Sequence, residues 1–287
     1  MTIMSLLKQF LFLFTNKNLY LKYKYYILLF LISFFIKDVS AQCKVKNNTF
    51  KNNEFIKYQV YYNWGFIWLK AGEVTFNAKD TTINNIELWK FISTGKSYPS
   101  YDWIFKVRDN FESIVYKKDL KPLYYHRKTL EGGLLTDNEY IFNHKKKKIY
   151  TSTYNSKSEL KKDTLKLTDC IFDVLSATYF TRSLNFSNMK INDSIPITTV
   201  MDNEKINIYV KYLGKEEITH KNKKKYNTIK FSTTVAEGSV FKGGEQIIVW
   251  VSDDKNKIPI LIKADIIVGS VKVYIIEKNN LKYKSSF

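Results

Sequence analysis

The chain has 287 residues, with 46 Lys plus Arg against 27 Asp plus Glu, a formal net charge of +19, and 45% hydrophobic and 16% aromatic residues. With 25% charged residues, 10 Gly and 4 Pro, collagen-like, low-complexity and fully disordered classes are excluded, and no stretch supports a polytopic membrane protein. Only three arginines occur, Arg108, Arg127 and Arg182, whereas guanidinium is the preferred group for phosphate and base-edge contacts. Heavy use of Lys, Asn, Ile, Tyr and Phe is what an AT-rich genome produces, so nucleic acid is not an expected partner. Peripheral contact with an anionic membrane surface is retained, since point charges suffice there.

Lys22 and Lys24 precede an apolar run from Tyr25 to Ile36, and Val39-Ser40-Ala41 then offers a cleavage point before Gln42. The run would span about 18 Å as a helix, short for a hydrocarbon core of about 30 Å. Residues 1–41 therefore read as a signal peptide, and residues 42–287 as a single exported β-rich domain of the periplasm or cell envelope. The signal is long, so a start downstream of Met1 and retention as an anchor are the alternatives. Gln42 before Cys43 is a poor lipidation context. Cys43 and Cys170 are the only cysteines. Their one intramolecular pairing is expected in an oxidising compartment, with two buried free thiols as the alternative.

From Glu54 to Asn63 the pattern is aromatic and alternating, as in a strand with one buried face. Trp64-Gly65-Phe66 then reverses the chain. Further strands are expected over Ile67 to Ala78, Glu87 to Gly95, Phe111 to Lys118, Leu123 to Thr129, Glu139 to Asn143 and Ile149 to Tyr154. The basic stretch from His144 to Lys148 reads as a solvated hairpin tip. Ser100 to Arg108 is weakly helical or irregular, whereas Asp169 to Leu184 has helical spacing with Thr168 or Asp169 as its cap. Strands resume near Asp193 to Met201, Ile206 to Leu213, Tyr226 to Val235, Gln246 to Ser252, Ile258 to Ile267 and Ser270 to Glu277. The fold expected is mainly β with one main helix: a single curved antiparallel sheet or open barrel packed around that helix. Two stacked half-domains are the alternative.

No G-x-S-x-G, H-E-x-x-H, Walker loop or dinucleotide fingerprint occurs, so no catalytic residue and no cofactor is assigned. His126, His144 and His220 show no ligand spacing, so no metal is expected. Asp253 and Asp254 read as turn residues, and Arg108 is expected to pair with Asp109 or across a strand. Gly72, Gly132-Gly133, Gly243-Gly244 and Gly269 suit bulges or bends. Trp64, Phe66, Trp68, Trp89, Trp103, Phe105 and Trp250 exceed what turns need. A barrel with an incomplete wall would leave Trp64, Trp68, Trp89, Trp103 and Trp250 lining a ligand cavity; simple core packing is the alternative.

The run from Glu54 to Phe76, the stretch from Cys170 to Ser176, and Val249 to Asp254 continuing through Ile258-Pro259-Ile260 to Ser270 resemble a bacterial family. It is the domain of unknown function 3108, in the form found among exported Bacteroidetes proteins. The ordered motifs are an aromatic strand ending in A-G-E, a C-x-x-D-x-L-S helix start and a W-x-S-D-D-x-x-x-x-P hairpin. The resemblance implies one cysteine near the mature N-terminus and another at the helix start, in line with pairing Cys43 and Cys170. It brings no reaction and no catalytic residue. By fold analogy alone, strands wrapped around a helix are similar to the open barrels of lipoprotein carriers. The function expected is a non-enzymatic envelope protein that holds a lipid, another apolar ligand or an envelope partner. The alternatives are a hydrolase using Glu73, Asp109 or Asp253 on an envelope or polysaccharide substrate, and a purely structural module.

Overall fold

Side chains alternate across each strand, so every second residue of a half-buried strand must be apolar or satisfied. β3 (Ile86–Ser97) shows the rule: Trp89, Phe91, Ser93 and Ser97 are buried, and the residues between Phe91 and Ser97 on the other parity are not. The computed structural model describes residues 45–64, 67–234, 246–266 and 269–286, all within the unit Gln42–Phe287. The expected signal segment, Cys43, Phe66, Gly243 and Gly244 lie outside the described residues, as does the side chain of Trp64. No helix among the described residues is long and apolar enough to cross a membrane.

The described strands form one open sheet. β1 (Glu54–Trp64), β2 (Ile67–Ile83), β3, β4 (Val107–Tyr116), β5 (Pro122–Glu131), β6 (Leu134–Asn143), β7 (Lys148–Asn155) and β8 (Ser158–Lys166) follow one another as antiparallel neighbours. The chain then passes to β9 (Ile171–Phe172) at the opposite edge. It returns through β10 (Ser194–Met201), β11 (Glu204–Thr219), β12 (Lys225–Thr234), β13 (Gln246–Ser252), β14 (Pro259–Asp265) and β15 (Ser270–Asn279). β15 pairs with β1, which joins the two halves, and β8 and β9 are the edges. The single curved sheet expected from the sequence is therefore what forms. Asn84-Asn85 and Asp202-Asn203, all with positive φ, turn two of the hairpins as the twist of paired strands requires. Gly72 lies at a register shift of β1 against β2, where an added Cβ would stand 2.4 Å from the Lys96 carbonyl oxygen.

Two elements differ from expectation. β8 lies outside the strands expected from the pattern: its sequence SELKKDTLK has no buried residue, and its lysines suit an exposed edge that must resist further pairing. The main helix, α2 (Val174–Ser183), starts later than expected because Ile171 and Phe172 are drawn into parallel pairing with Thr198 and Thr199 of β10. Its cap is accordingly Asp173, not Thr168 or Asp169. The Asp173 carboxylate accepts from the amides of Leu175 and Ser176 at 2.9 and 2.8 Å, and the Ser176 hydroxyl accepts from the Asp173 amide. Between Tyr98 and Val107 the chain makes a 3₁₀ turn, Pro99–Tyr101, and the short α1 (Asp102–Phe105).

α2 bridges the two halves. Leu175 and Tyr179 pack with Phe50, Trp89, Phe91, Val115 and Tyr140 of the first, and Tyr179 stacks on Phe91 at 3.8 Å between ring centres. Ala177, Phe180 and Leu184 pack with Ile197, Val210, Phe231 and Val251 of the second. A third cluster, around Tyr58, Ile260 and Ile275, fills the β1–β15 region. The β10–β11 turn leans across the open seam: Asp202 accepts from Asn138 Nδ2 at 2.7 Å, and Asn203 Nδ2 donates to Thr153 Oγ1 at 2.8 Å.

Within this core Arg182 and Glu54 form a buried ion pair. Arg182 is 6% exposed and Glu54 1%. The guanidinium donates to both Glu54 oxygens, at 2.7 and 3.1 Å, and to the Asn256 carbonyl at 3.0 Å. Removing one member strands the other charge in a low dielectric, typically a loss of about 3–5 kcal/mol. Glu54→Gln is expected to lower unfolding free energy by about 3 kcal/mol in urea denaturation, and Glu54→Leu combined with Arg182→Met to recover most of that. A single variant as stable as the parent would contradict the assignment.

Candidate functional site

Of the tryptophans expected to share a cavity, the four whose side chains are described, Trp68, Trp89, Trp103 and Trp250, do not line one together. Trp89 is core, edge-on to Phe50 at 5.1 Å. Trp103 is 79% exposed on α1 and donates to the Ser100 carbonyl. Trp68 and Trp250 carry lysine ammonium groups over their rings, from Lys272 at 4.0 Å, and from Lys230 and Lys263 at 5.1 and 5.0 Å. The Trp250 indole N–H donates to Glu216.

The three candidate carboxylates are equally separated. Glu73 on β2 is bridged by Lys57 and Lys96 at 2.8 and 2.9 Å, whose hydrogen bonds hold its carboxyl below the usual range. Asp109 lies opposite Gly95 and Thr129, one residue out of step with the Glu73–Lys96–Arg108 row and so on the other face of the sheet. Burial, and then the charge of Glu131, pushes Asp109 up to about 7 against the opposing pull of Arg127. Arg108 pairs with Asp102 at 2.5 Å rather than with its neighbour Asp109, because the two point to opposite faces. Asp253 stands in the β13–β14 turn, paired with Lys215 at 2.8 Å. Among the described residues no three His, Cys, Asp or Glu side chains are grouped as metal ligands would be. Cys170 is not a free thiol, and Cys43, its expected partner, lies outside the described residues.

Where chemistry-bearing side chains do converge is a cleft of about 520 Å³ at the end of α2. Phe186, from the segment after α2, and Tyr212 and Ile229 of the sheet give it an apolar wall continuous with the second core cluster. Lys215, Asp253, Lys255 and Lys257 line its other side, with Tyr283 from the C-terminal segment. Asp254 fixes this turn. It accepts from the Ser252 hydroxyl at 2.8 Å, from the amides of Asn256 and Lys257 at 2.9 and 3.2 Å, and from the amide and hydroxyl of Ser286 at 3.1 and 3.0 Å. Burial alone would raise its pKa, but these hydrogen bonds outweigh it and the net shift is downward.

Lys257 is the unusual member. Its ammonium donates to the Leu184 carbonyl at the end of α2 and lies 5.3 Å from the Phe186 ring centre. No carboxylate pairs with it within 4 Å among the described residues. Burial, and then the like charge of Arg182, pushes its pKa down. A half-buried ammonium with no carboxylate partner, open to a cleft with an aromatic wall, is the electrostatic form of an anion site. The cleft's aromatic residues among those described are Phe186, Tyr212 and Tyr283, and none is a tryptophan. The sequence offers no local signal for them, because Phe186, Lys215, Lys257 and Tyr283 meet only through the fold.

The family profile described as a protein of unknown function, DUF3108, matches residues 57–276, from within β1 to within β15. The chain belongs to the DUF3108 family. A search of curated proteins finds no match. Among solved structures, the chain is similar to the crystal structure of a β-barrel-like protein of the domain of unknown function DUF1849 from Brucella abortus. The likeness has a TM-score of 0.54 at 10% identity and covers 82% of this chain and 100% of that one. At that identity the likeness is one of fold. Within the DUF3108 chain, the W-x-S-D-D hairpin quoted above supplies Asp253 and Asp254 to the cleft, and the C-x-x-D-x-L-S motif supplies the cap of α2.

Burial also pushes the Asp173 carboxyl up, to about 6, against the hydrogen bonds from Ser176, Ser113 and Leu175. Asp109 and Asp173 thus hold a proton more tightly in the folded chain than at the ordinary value of about 3.9. Their contribution to stability is complete below about pH 4 and is lost as pH rises through about 6 for Asp173 and about 7 for Asp109. For Asp173 the loss is on the order of 3 kcal/mol. Urea denaturation is expected to show a less stable protein at about pH 8 than at about pH 5, and Asp109→Asn to remove the upper part of that slope. A stability that rises across this interval would contradict the assignment.

Proposed function

We propose that this protein is a non-catalytic binding protein of the cell envelope that holds a small anionic amphiphile in the cleft at the end of α2. The carboxylate or phosphate of the ligand meets Lys257, and its apolar body lies along Phe186, Tyr212 and Ile229. The observation that carries the reading is Lys257 itself, a half-buried ammonium with no carboxylate partner at the polar edge of an aromatic wall. The cleft volume of about 520 Å³ falls in the range of small-molecule sites, roughly 300–1,000 Å³. Export, the signal segment and the Cys43–Cys170 bond belong to the same reading and are supported by the sequence pattern. The hydrolase alternative has less support, since Glu73, Asp109 and Asp253 do not converge and two of them are already neutralised by lysine.

Displacement of a fluorescent fatty acid by dodecanoate tests the reading. Saturable displacement is expected for the parent. Lys257→Gln, with the thermal midpoint as a check on folding, is expected to weaken it about 10-fold, the size of a lost hydrogen bond to a charged group. Dodecanol, which lacks the charge, should bind both proteins alike. Absence of saturable displacement, or equal affinity of parent and variant for dodecanoate, would overturn the proposal.

A further inference from the structure

A second set of unpaired cations lies on the face of the sheet turned away from α2. Phe231 and Val249 pack in the cluster that contains α2, so their strand neighbours Lys230 and Trp250 face the other way. On that same face the register sets Lys263 of β14 directly opposite Lys272 of β15, and Lys272 directly opposite Tyr61 of β1. Like charges directly opposite on neighbouring strands destabilise a sheet. Glu216 offsets Lys263 only in part, being already paired with Lys230 at 3.3 Å, and among the described residues neither opposed lysine has a carboxylate within 4 Å, nor has Lys221 nearby. Burial, and then the charges of Lys272 and Lys230, lowers the pKa of Lys263, and burial followed by Lys272 lowers that of Lys221.

These ammonium groups rest on ring faces instead. Lys221 lies 3.3 Å from the centre of Tyr61, Lys272 4.0 Å from Trp68, and Lys263 5.0 Å from Trp250. Ile276, on β15 of the same region, is 52% exposed. Amphipathic rings interleaved with snorkelling lysines are suited to the boundary between water and lipid, where rings sit among head groups and ammonium groups meet phosphate. The array contains no arginine, the residue that reads phosphate bidentately on nucleic acid.

We propose that this face, centred on Lys263, Lys272, Trp68 and Tyr61, is a docking surface for a membrane leaflet rich in anionic lipid. It stands apart from the cleft at Lys257, so either proposal can fail without the other. Lipid brings a layer of negative charge that relieves the opposed lysines, and an array spread over β1, β2, β14 and β15 gives a layer more contact than it gives a single small anion.

Flotation of the full chain with vesicles tests this, comparing phosphatidylcholine alone with phosphatidylcholine containing phosphatidylglycerol. The apolar N-terminal run is common to parent and variant, so it cancels from their comparison. The parent is expected to bind anionic vesicles in a salt-sensitive way and neutral vesicles far less. Lys263→Gln with Lys272→Gln is expected to weaken that binding about 30-fold, at about 1 kcal/mol per lysine near an anionic surface, and to raise the thermal midpoint by relieving repulsion. Lys257→Gln should leave flotation unchanged. Equal binding to both vesicle types, flotation unaffected by the double substitution, or displacement from anionic vesicles by stoichiometric RNA or inorganic phosphate would overturn the proposal.

Discussion

Glu54 and Arg182 form the contact on which the rest of the molecule depends. Glu54 is the first residue of β1, the strand on which the two halves of the sheet meet, and Arg182 lies in the last turn of α2. The bond therefore fixes the helix end against the middle of the sheet, while Asp173 fixes the helix start against Ser113 of β4 at 2.8 Å. Desolvating such a pair is costly, and the geometry returns part of that cost through three hydrogen bonds donated by the guanidinium and through the faces of Phe50 and Tyr179, 5.9 and 5.5 Å away. The third hydrogen bond, to the Asn256 carbonyl, carries the constraint outward. It pins the β13–β14 turn and so places Lys257 beside Leu184, where the cleft opens.

The course of the chain explains why the sheet needs this filling. A long antiparallel sheet twists and curls, and its concave side must be covered. Running from β1 to β8, crossing to β9 and returning to β15 puts both ends of the main domain in the middle and both edges at the seam. α2 fills the concavity with Tyr179 and Phe180 directed to different halves. The seam itself is spanned by side chains, through Asp202 and Asn203, rather than by backbone pairing. Lysines on β8 keep that edge from recruiting a further strand.

Much of the fold was legible in the sequence because alternation is a local signal. The aromatic strand from Glu54, the hairpin at His144 to Lys148 and the strands from Gln246 onward lie close to where the pattern puts them. β8 was not legible, since a strand exposed on every residue has no hydrophobic period to read. Nor was the true helix cap, because the competition for Ile171 and Phe172 is decided by β10, far along the chain. The site was legible least of all. The tryptophans drew attention by their size, but Trp89 serves the core and Trp103 the surface. The cleft is made by Phe186, Lys257 and Tyr283, whose sequence context reads as turn and tail.

Two surfaces thus share one electrostatic logic: lysines held near aromatic rings and near other cations, without carboxylates to neutralise them. Around Lys257 the setting is enclosed and suits a single ligand, with the Arg182–Glu54 pair behind it. On the strands at Lys263 and Lys272 it is spread over several strands and suits a layer. The central claim is that the enclosed site is a binding site, and amide chemical-shift mapping of the protein titrated with dodecanoate tests it most directly. The account predicts saturable shifts concentrated at Phe186, Ser187, Tyr212 and the turn from Asp253 to Lys257. Shifts confined to other parts of the sheet, or no saturable shift at all, would contradict it.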